Sequence, residues 1–390
     1  MGCGMEIKAF QFFKKKGWSL KEFPELDSAN TLVLIFAAPE FYDFHEPILQ
    51  LADFYSQSKI VGCSTAGEIF GNYLFDHSIA VVVAKFTHTT LKLAKALVNQ
   101  SNESKNTGML IAEQLKDTHL RSIFVLSDGL NVNGSELVKG LNTAKESNNL
   151  IITGGLAGDG SNFKRTWTIF NNKILDHYVV AVGFYGSKIQ IGHASKGGWD
   201  IFGPIRRITR SEANILYELD YRPALQLYKE YLGEKASELP SSGLLYPLAI
   251  HDPNTHDDTQ LVRTILAVNE NEQSLVFAGD IPTGWHAQLM HANFDRLIDS
   301  AYEAGNLANN RMLSNGLEKL GPVLAIDISC VGRRLLLGAR TEEEIESTFS
   351  ALPEGSTQIG FYSYGELSPF SVGNCELHNQ TMTITTIHEL

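Results

Sequence analysis

The chain has 390 residues, of which 43% are hydrophobic and 19% are charged, with 44 acidic and 32 basic side chains and a net charge of -12. This composition is typical of packed globular proteins and excludes a largely disordered chain, and the length predicts more than one domain. The acidic balance disfavours nucleic-acid and anionic-membrane partners, and no apolar run reaches the ~18 residues of a membrane-spanning helix.

The cysteines and the N-terminus indicate a reducing compartment. Four cysteines are too few in a chain of this length for a disulfide framework, and they form no C-x-x-C pair. Glu6 and Lys8 stand where a signal peptide would have its apolar core. We therefore expect a cytoplasmic protein.

Strand and helix patterns alternate from residue 31 onward, and their order returns twice. The first run predicts a strand at Thr31–Phe36, a helix at Glu46–Tyr55, a strand at Ile60–Gly62, and a hairpin of Ser78–Phe86 with Leu91–Val98. The second run predicts a strand at Ser122–Leu126, a helix at Gly134–Lys145 with Asn133 as its cap, and strands at Leu150–Thr153, Thr166–Phe170, Tyr178–Phe184 and Lys188–His193. The third run predicts a strand at Val323–Ser329, a helix at Glu342–Leu352, and strands at Gln358–Ile359 and Thr381–Ile387. The fold class predicted is α/β (mixed α+β), with duplicated strand-helix-strand units and mixed sheets.

The segment between the second and third runs follows another pattern. It predicts a helix at Ser211–Leu219, a break at Asp220–Pro223, a helix at Ala224–Leu232, a hairpin of Leu261–Val268 with Ser274–Gly279, and a long helix at His291–Ala304. The break near Leu219 predicts a domain boundary. We expect an N-terminal extension at 1–29, an N-terminal domain at 30–220 and a C-terminal domain at 221–390, packed together.

In each unit the second strand leads into a glycine-rich turn that an acidic residue closes. The turns are Gly62–Glu68, Gly154–Asp159 and Gly360–Glu366. A tight strand exit with positive φ explains some of the glycines, but it does not explain the repeated acid. The second unit is longer than the first, and we expect its additional residues in an extra hairpin around Asn171.

Polar residues gather at the predicted C-terminal ends of the strands, where open α/β sheets hold ligands. We predict that the three turns meet around a common hollow that binds a small ligand. Arg333 and the turn amides would bind a carboxylate group of the ligand. An ammonium group would be bound by Asp128, Asp159 or Glu366. An apolar part of the ligand would be covered by Tyr362 or Tyr364. The predicted ligand-binding residues are Cys63, Ser64, Thr65, Asp128, Gly155, Asp159, Cys330, Arg333, Tyr362, Tyr364 and Glu366. The alternative is that several of these groups only hydrogen-bond to one another.

Other chemistries have weaker support. The nucleophile-elbow and phosphate-loop signatures are missing, so an enzyme would have to use Cys63 or Cys330 with a nearby acid and a histidine. Cys63, Cys330 and Cys375 would hold zinc or an iron–sulfur cluster only if the fold brought them together. His193 is a candidate axial haem ligand, and its alternative is a hydrogen-bonded strand histidine.

Several motifs occur in an order that identifies a family: GCSTAGE at 62–68, SDG at 127–129, GGLAGD at 154–159, GGW at 197–199, LDYRPA at 219–224, ISCVGR at 328–333, GFYSYGE at 360–366 and HNQTM at 378–382. Over about residues 30–388 the chain resembles the FIST family of sensory proteins. The resemblance implies an N-terminal and a C-terminal FIST domain and sensing of small molecules such as amino acids. With the enzyme signatures missing, we expect no enzymatic activity.

For some bacterial members, the resemblance also implies haem-based nitric oxide sensing that regulates a histidine kinase or a cyclic-di-GMP enzyme. This sequence shows no kinase or cyclase segment, so its output would pass to a separate partner. The main hypothesis is a cytoplasmic, bacterial-type signal-transduction sensor with a small ligand or haem. The alternatives are a cysteine-dependent enzyme and a scaffold without a ligand.

Overall fold

A computed structural model describes residues 4–145, 150–254, 260–313, 321–370 and 373–390. In these residues the α/β fold consists of three related units, which we call the three-unit body, and an inserted region at 197–293. The first unit contains β1 (Met5–Phe13), β2 (Gly17–Trp18), β3 (Thr31–Ala37), α1 (Glu46–Phe54), β4 (Lys59–Ser64), β5 (Glu68–Phe70), β6 (Tyr73–Phe75) and β7 (Ser78–Phe86). The second contains β8 (Thr90–Leu97), α2 (Ser104–Leu115), β9 (Leu120–Ser127), α3 (Gly134–Leu141), β10 (Ile151–Leu156), β11 (Thr168–Phe170), β12 (Lys173–Leu175) and β13 (Tyr178–Tyr185).

The third unit begins with β14 (Ile189–Lys196) and is then interrupted by the inserted region. The inserted region contains β15 (Asp200–Glu212), β16 (Ile215–Leu219), β17 (Arg222–Pro223), α4 (Ala224–Leu232), β18 (Leu248–His251), β19 (Leu261–Arg263), β20 (Ile265–Asn269), β21 (Ser274–Phe277) and β22 (His286–His291). The third unit resumes with α5 (Phe294–Leu313), β23 (Leu324–Cys330), α6 (Val331–Leu337), α7 (Thr341–Ser350), β24 (Thr357–Ser363), β25 (Gly365–Pro369), β26 (Cys375–His378) and β27 (Met382–Glu389). The predicted boundary at residues 220 and 221 falls between β16 and β17.

Each unit builds its sheet around the same three strands. The first two of these strands form a parallel pair, which is β3 with β4, β9 with β10, and β23 with β24. The last strand of the unit pairs antiparallel with the first strand of that pair, as β7 does with β3, β13 with β9, and β27 with β23. The strand that opens the unit then pairs with that last strand, as β1 does with β7, β8 with β13, and β14 with β27. The described part of the predicted N-terminal extension therefore supplies strand β1 to the first sheet.

The short hairpin that follows each parallel pair joins the sheet of a neighbouring unit. The β5–β6 hairpin pairs with β24, the β11–β12 hairpin with β4, and the β25–β26 hairpin with β10. This exchange is cyclic, so every unit completes the sheet of another. The three sheets share a buried core to which each unit contributes a phenylalanine. The rings of Phe36 from the first unit and Phe361 from the third lie 4.8 Å apart by their centroids, and Phe124 comes from the second unit.

Several predicted elements are confirmed and others are wrong. Helices α1, α3 and α4 form where the sequence predicts them, and the Asn133 side chain accepts a hydrogen bond from the Glu136 N–H at 3.1 Å. The predicted helix at Ser211–Leu219 is instead the end of β15, a turn at Ala213 with φ +48°, and β16. Pairing of β16 with both β15 and β21 overrides the helical spacing of its apolar residues.

Two further predictions on the first two units are wrong. The Leu91–Val98 segment forms β8, but β7 cannot pair with it because β1 and β3 occupy both edges of β7. The additional residues of the second unit are 159–167 and precede the hairpin at Asn171. Gly71 and Asn171 turn equivalent hairpins at φ +59° and +53°, so this hairpin is common to both units.

No helix among the described residues combines the length and apolar character of a membrane crossing.

Candidate functional site

The three glycine-rich turns meet in the middle of the three-unit body. The Ala66 N–H donates to the Tyr362 carbonyl at 2.8 Å, the Gly158 N–H to the Ser64 carbonyl at 3.0 Å, and the Tyr364 N–H to a carbonyl of the second turn at 3.2 Å. Because these backbone groups bond directly to each other, they leave no space for a ligand between the bonded residues of the three turns, and a surface cleft of about 480 Å³ lies outside them against Ala66, Gly160 and Arg334. The predicted common hollow is therefore wrong, and we call this region the sealed centre.

The third turn is closed by its repeated acid. The Glu366 carboxyl accepts hydrogen bonds from Ser363 Oγ at 2.8 Å and from Thr381 Oγ1 at 2.9 Å and its N–H at 3.3 Å. Glu366 is fully buried, and burial raises the pKa of its carboxyl to about 8 although these hydrogen bonds oppose the shift. The acid thus ties the turn to the start of the last strand of its unit.

The first turn has the same arrangement. The Glu68 carboxyl accepts from the Thr65 hydroxyl, from Ser78 Oγ at 2.8 Å and from the Ser78 N–H at 3.1 Å. Burial again raises the carboxyl pKa to about 8. The repeated acid of the first and third turns is therefore explained by turn closure and not by ligand binding.

The second turn differs because the insertion at 159–167 carries its acid away from this position. Asp159 accepts the N–H groups of Phe163, Lys164 and Arg165 at 2.8–2.9 Å and the Tyr364 hydroxyl. Thr168, the first residue of β11, occupies the position that Glu68 has in β5. Asp159 shapes a surface loop instead of closing a buried turn.

Arg333, the predicted carboxylate ligand, is engaged inside the protein. It is fully buried, its Nε lies 2.6 Å from a carboxylate oxygen of Glu344, and its Nη2 donates to the Leu297 carbonyl at 2.7 Å. Its Nη1 donates to the Gly197 carbonyl, and the buried Tyr362 hydroxyl donates to Glu344 at 2.8 Å. The prediction that Arg333 and Tyr362 contact a ligand is therefore wrong, because neither reaches solvent or a cavity.

The other predicted residues are divided among three places. Cys63, Ser64, Thr65, Gly155 and Glu366 lie in or behind the sealed centre. Asp128 borders a separate surface cleft with Lys164 and His177, where it accepts from the Leu130 N–H at 2.9 Å. Of the predicted set, only Cys330 and Tyr364 border the cleft described next. Asp159 does not line it but accepts a hydrogen bond from the Tyr364 hydroxyl.

A second region, which we call the interdomain cleft, separates the three-unit body from the inserted region. It has a volume of about 180 Å³. It is lined from the body by Phe163, Cys330, Val331, Gly332, Leu335, Tyr364 and Asn379, and from the inserted region by Pro240, Ser241, Leu244, Thr264, Ile265, Leu266 and Ala278. These residues come from widely separated parts of the chain, and the cleft forms only where the inserted region packs on the body.

The lip of the interdomain cleft exposes apolar side chains to solvent. Phe163 is 51% exposed and stacks on Tyr364 with ring centroids 4.5 Å apart. Leu266 and Leu335 on the cleft walls are each 50% exposed. Phe163 also has φ +53°, a left-handed conformation that costs a residue with a bulky side chain free energy. Exposed apolar surface and backbone strain together are typical of a binding site.

Two residues that line the interdomain cleft carry buried polar atoms that have no partners among the described residues. Asn379 is 1% exposed and Thr264 is 5% exposed, yet Asn379 Oδ1 and Thr264 Oγ1 make no hydrogen bond there. Both amide atoms of the fully buried Gln380 are also unpartnered, and they lie against Gly332 on the cleft wall. Because nearly all buried polar groups in folded proteins are hydrogen-bonded, the cleft-lining residues Asn379 and Thr264 are the candidates for contact with a polar ligand atom.

Sequence reasoning missed most of this cleft. The HNQTM motif at 378–382 contains Asn379 and Gln380, and it was a signal that could have found them. No sequence signal points to Thr264 or Leu266, because they reach the cleft only through the packing of the inserted region.

The buried thiols do not provide an activated nucleophile. Burial raises the pKa of the Cys63 thiol well above its usual range and that of Cys330 to about 12. Neither thiol hydrogen-bonds to a histidine in the described part of the chain. Cys63 and Cys375 lie in different apolar cores, and the described residues contain no group of three metal-ligating side chains.

His193 lies within β14 and is 5% exposed. Burial, and next the charge of Arg311, lower the pKa of its imidazole to about 4. Its Nδ1 is unpartnered among the described residues, but His193 borders neither the interdomain cleft nor the cleft at Asp128. A porphyrin needs open space beside its axial ligand, so these surroundings do not fit a haem.

Comparison with known proteins agrees with the motif order. The FIST N domain family model matches residues 31–222, and the FIST C domain family model matches residues 224–369. An uncharacterized protein of Methanocaldococcus jannaschii is 23% identical in a 350-residue alignment that covers 79% of this chain and 64% of that relative. FIST domains are sensor domains of signal transduction and are not known as catalytic domains. The two matches together span most of the sequence, and the chain belongs to the FIST family.

Proposed function

We propose that this protein is the input component of a signalling pathway and that a small molecule binds in the interdomain cleft. The observation that carries the proposal is the pair of unpartnered polar atoms at Asn379 and Thr264 within an otherwise apolar cleft. A few placed polar groups on apolar walls are typical of small-molecule sites. Other buried polar groups without partners, such as those of Thr153 and Asp327, do not line this cleft, whereas Arg333 and Glu366 have their partners within the protein.

Binding in this cleft would produce a signal because its two walls belong to different parts of the fold. A ligand that contacts both walls favours the arrangement in which the inserted region lies close to the body. The lip offers a second connection, since Tyr364 hydrogen-bonds to Asp159 and stacks on Phe163. Ligand contact with either ring would be passed to the loop at 159–167.

The output side of the proposal comes from the family resemblance. We propose that a separate histidine kinase or cyclic-di-GMP enzyme in the cytoplasm reads the state of this protein. The test measures the activity of such a purified enzyme with this protein, in the presence and absence of a cleft ligand. An activity that never depends on the ligand would contradict this part of the proposal.

The cleft itself is tested by filling it. Ala278→Trp places an indole inside the cleft, and Ala267→Trp adds the same side chain at an exposed position of β20, outside the cleft. We expect a screen of neutral and charged small molecules by thermal shift to give hits with the wild type and Ala267→Trp but none with Ala278→Trp, since binding stabilises the native state.

If Ala278→Trp fails to fold, Ser241→Trp serves the same purpose from the exposed end of the lining. Circular dichroism checks the fold of each variant before the screen. Hits that survive both cleft-filling variants would place binding elsewhere. A screen without any hit would favour the ligand-free scaffold.

A further inference from the structure

The interdomain cleft has no charged side chain among its described lining residues. Its polar groups are the amide of Asn379 and the hydroxyls of Thr264, Ser241 and Tyr364, together with the Cys330 thiol. Ionised ligand groups that leave water need an opposite charge or several strong hydrogen bonds, because burial of an unpaired charge is costly.

The charged groups behind the lining are occupied. Arg333, next to Gly332 in the chain, is paired with Glu344, and Arg263, next to Thr264, donates to the carbonyls of Asp280 and Leu377 at 3.1 Å. The Glu366 carboxyl accepts from the hydroxyl groups of Ser363 and Thr381. An amino acid would therefore find no charged side chain in the lining, and contact with Arg263 or Arg333 would have to displace internal hydrogen bonds.

The unpartnered atoms define what the ligand must offer. The Asn379 Nδ2 donates to the His378 carbonyl at 3.1 Å, which fixes the orientation of the amide and leaves Oδ1 free as an acceptor. Thr264 Oγ1 is free to donate or to accept. A ligand head group that satisfies both atoms must supply at least one N–H or O–H donor.

The size of the cleft limits the rest of the molecule. An apolar cavity of roughly 150 Å³ holds a benzene ring. The interdomain cleft has a volume of about 180 Å³, and most of its lining residues are apolar. One ring or one branched aliphatic group with a compact head group fills it.

We infer that the interdomain cleft selects uncharged ligands that join a small apolar group to a neutral hydrogen-bonding head group such as a carboxamide. The inference rests on the proposed function and deepens it by naming the chemical class of the ligand. Asn379 accepts from the head group, Thr264 completes its hydrogen bonds, and the rings and aliphatic side chains at the lip cover the apolar part.

Three probes of nearly equal shape test the inference on the full chain. Benzamide is neutral, benzoate carries a negative charge and benzylammonium a positive one. At pH 7 we expect benzamide to raise the melting temperature and to give a saturable calorimetric titration, whereas the two ions give neither at the same concentration. Binding of either ion at least as tight as that of benzamide would overturn the inference.

Two matched variants locate the contact. Thr264→Val removes a hydroxyl inside the cleft, and Thr153→Val removes another buried, unpartnered hydroxyl in β10, outside the cleft. We expect Thr264→Val to weaken benzamide binding about tenfold, the loss of one hydrogen bond, and Thr153→Val to leave it unchanged. Equal effects of both variants would contradict the assignment.

The outcome separates this inference from the proposed function. If charged molecules from the screen bind to the wild type but not to Ala278→Trp, the inference that the ligand is neutral is overturned, and the cleft remains the input site. An absence of any binding that depends on the cleft would overturn both.

Discussion

The sealed centre and the interdomain cleft lie in the same molecule and use similar side chains, but they differ in how those side chains are satisfied. Thr381 and Thr264 are both 5% exposed, yet Thr381 Oγ1 donates to Glu366 at 2.9 Å whereas Thr264 Oγ1 has no partner among the described residues. In the sealed centre the polar groups of the turns hold the chain together. In the cleft, Thr264 Oγ1 and Asn379 Oδ1 are buried but make no hydrogen bond to the described residues.

This difference shows that motif conservation between repeats and ligand binding are separate properties. The acids Glu68 and Glu366 recur because each closes a turn with the same set of donors. The cleft arises where the repeat is broken, at the insertion 159–167 and at the region inserted into the third unit. Three experiments test the contrast.

The largest effect is expected at the buried ion pair of Arg333 and Glu344, which adjoins the sealed centre through the hydrogen bond from Tyr362 to Glu344. Arg333→Met leaves the fully buried Glu344 without its ion-pair partner, and we expect a loss of roughly 3–5 kcal/mol in the free energy of unfolding by urea. The double variant Arg333→Met, Glu344→Gln should recover most of this loss because it removes both charges.

The control is Arg340→Met. Arg340 pairs with Asp295 and Glu343, whose side chains are 79% and 50% exposed, so we expect only a small fraction of the cost of Arg333→Met. A loss below 1 kcal/mol for Arg333→Met would show that the centre does not depend on this ion pair.

The second effect is a dependence of stability on pH. The pKa of Glu366 is raised from an ordinary value of 4.5 to about 8, so the folded protein binds this proton more tightly than the unfolded chain does. The contribution to stability is complete below about pH 4.5 and is lost as the pH rises through about 8. Glu68 behaves in the same way.

We therefore expect the free energy of unfolding to fall between pH 5 and pH 9, and the variant Glu68→Gln, Glu366→Gln to flatten that slope. Urea denaturation at several pH values measures it. A slope that is the same in the wild type and the double variant would contradict the role given to the two acids.

The smallest effects compare the two threonines directly. Thr381→Val removes a donor to the Glu366 carboxyl and should cost roughly 1–3 kcal/mol. Thr264→Val replaces an unpartnered hydroxyl with a methyl group of the same shape, and we expect the stability to stay within about 0.5 kcal/mol of the wild type or to rise. If Thr264→Val were as costly as Thr381→Val, the cleft hydroxyl would be structural.

Much of the local structure followed from the sequence. Apolar spacing and a capping asparagine predicted α1 and α3, and the three glycine-rich turns were recognised together with their repeated acid. The same ordered motifs identified the FIST family, which both domain matches confirm. These features depend on neighbouring residues along the chain, which a single sequence displays.

Only the tertiary structure decided what the turns do. Hydrogen bonds such as those from Ala66 to Tyr362 and from Gly158 to Ser64 join residues far apart in the chain, and they close the space where the sequence predicted a hollow. Hairpin exchange between units and the packing of the inserted region are equally nonlocal, so no local signal predicts that Thr264 lines the same cleft as Asn379. Residue type and periodicity determine which groups are buried, but whether a buried group has a partner depends on the assembled fold.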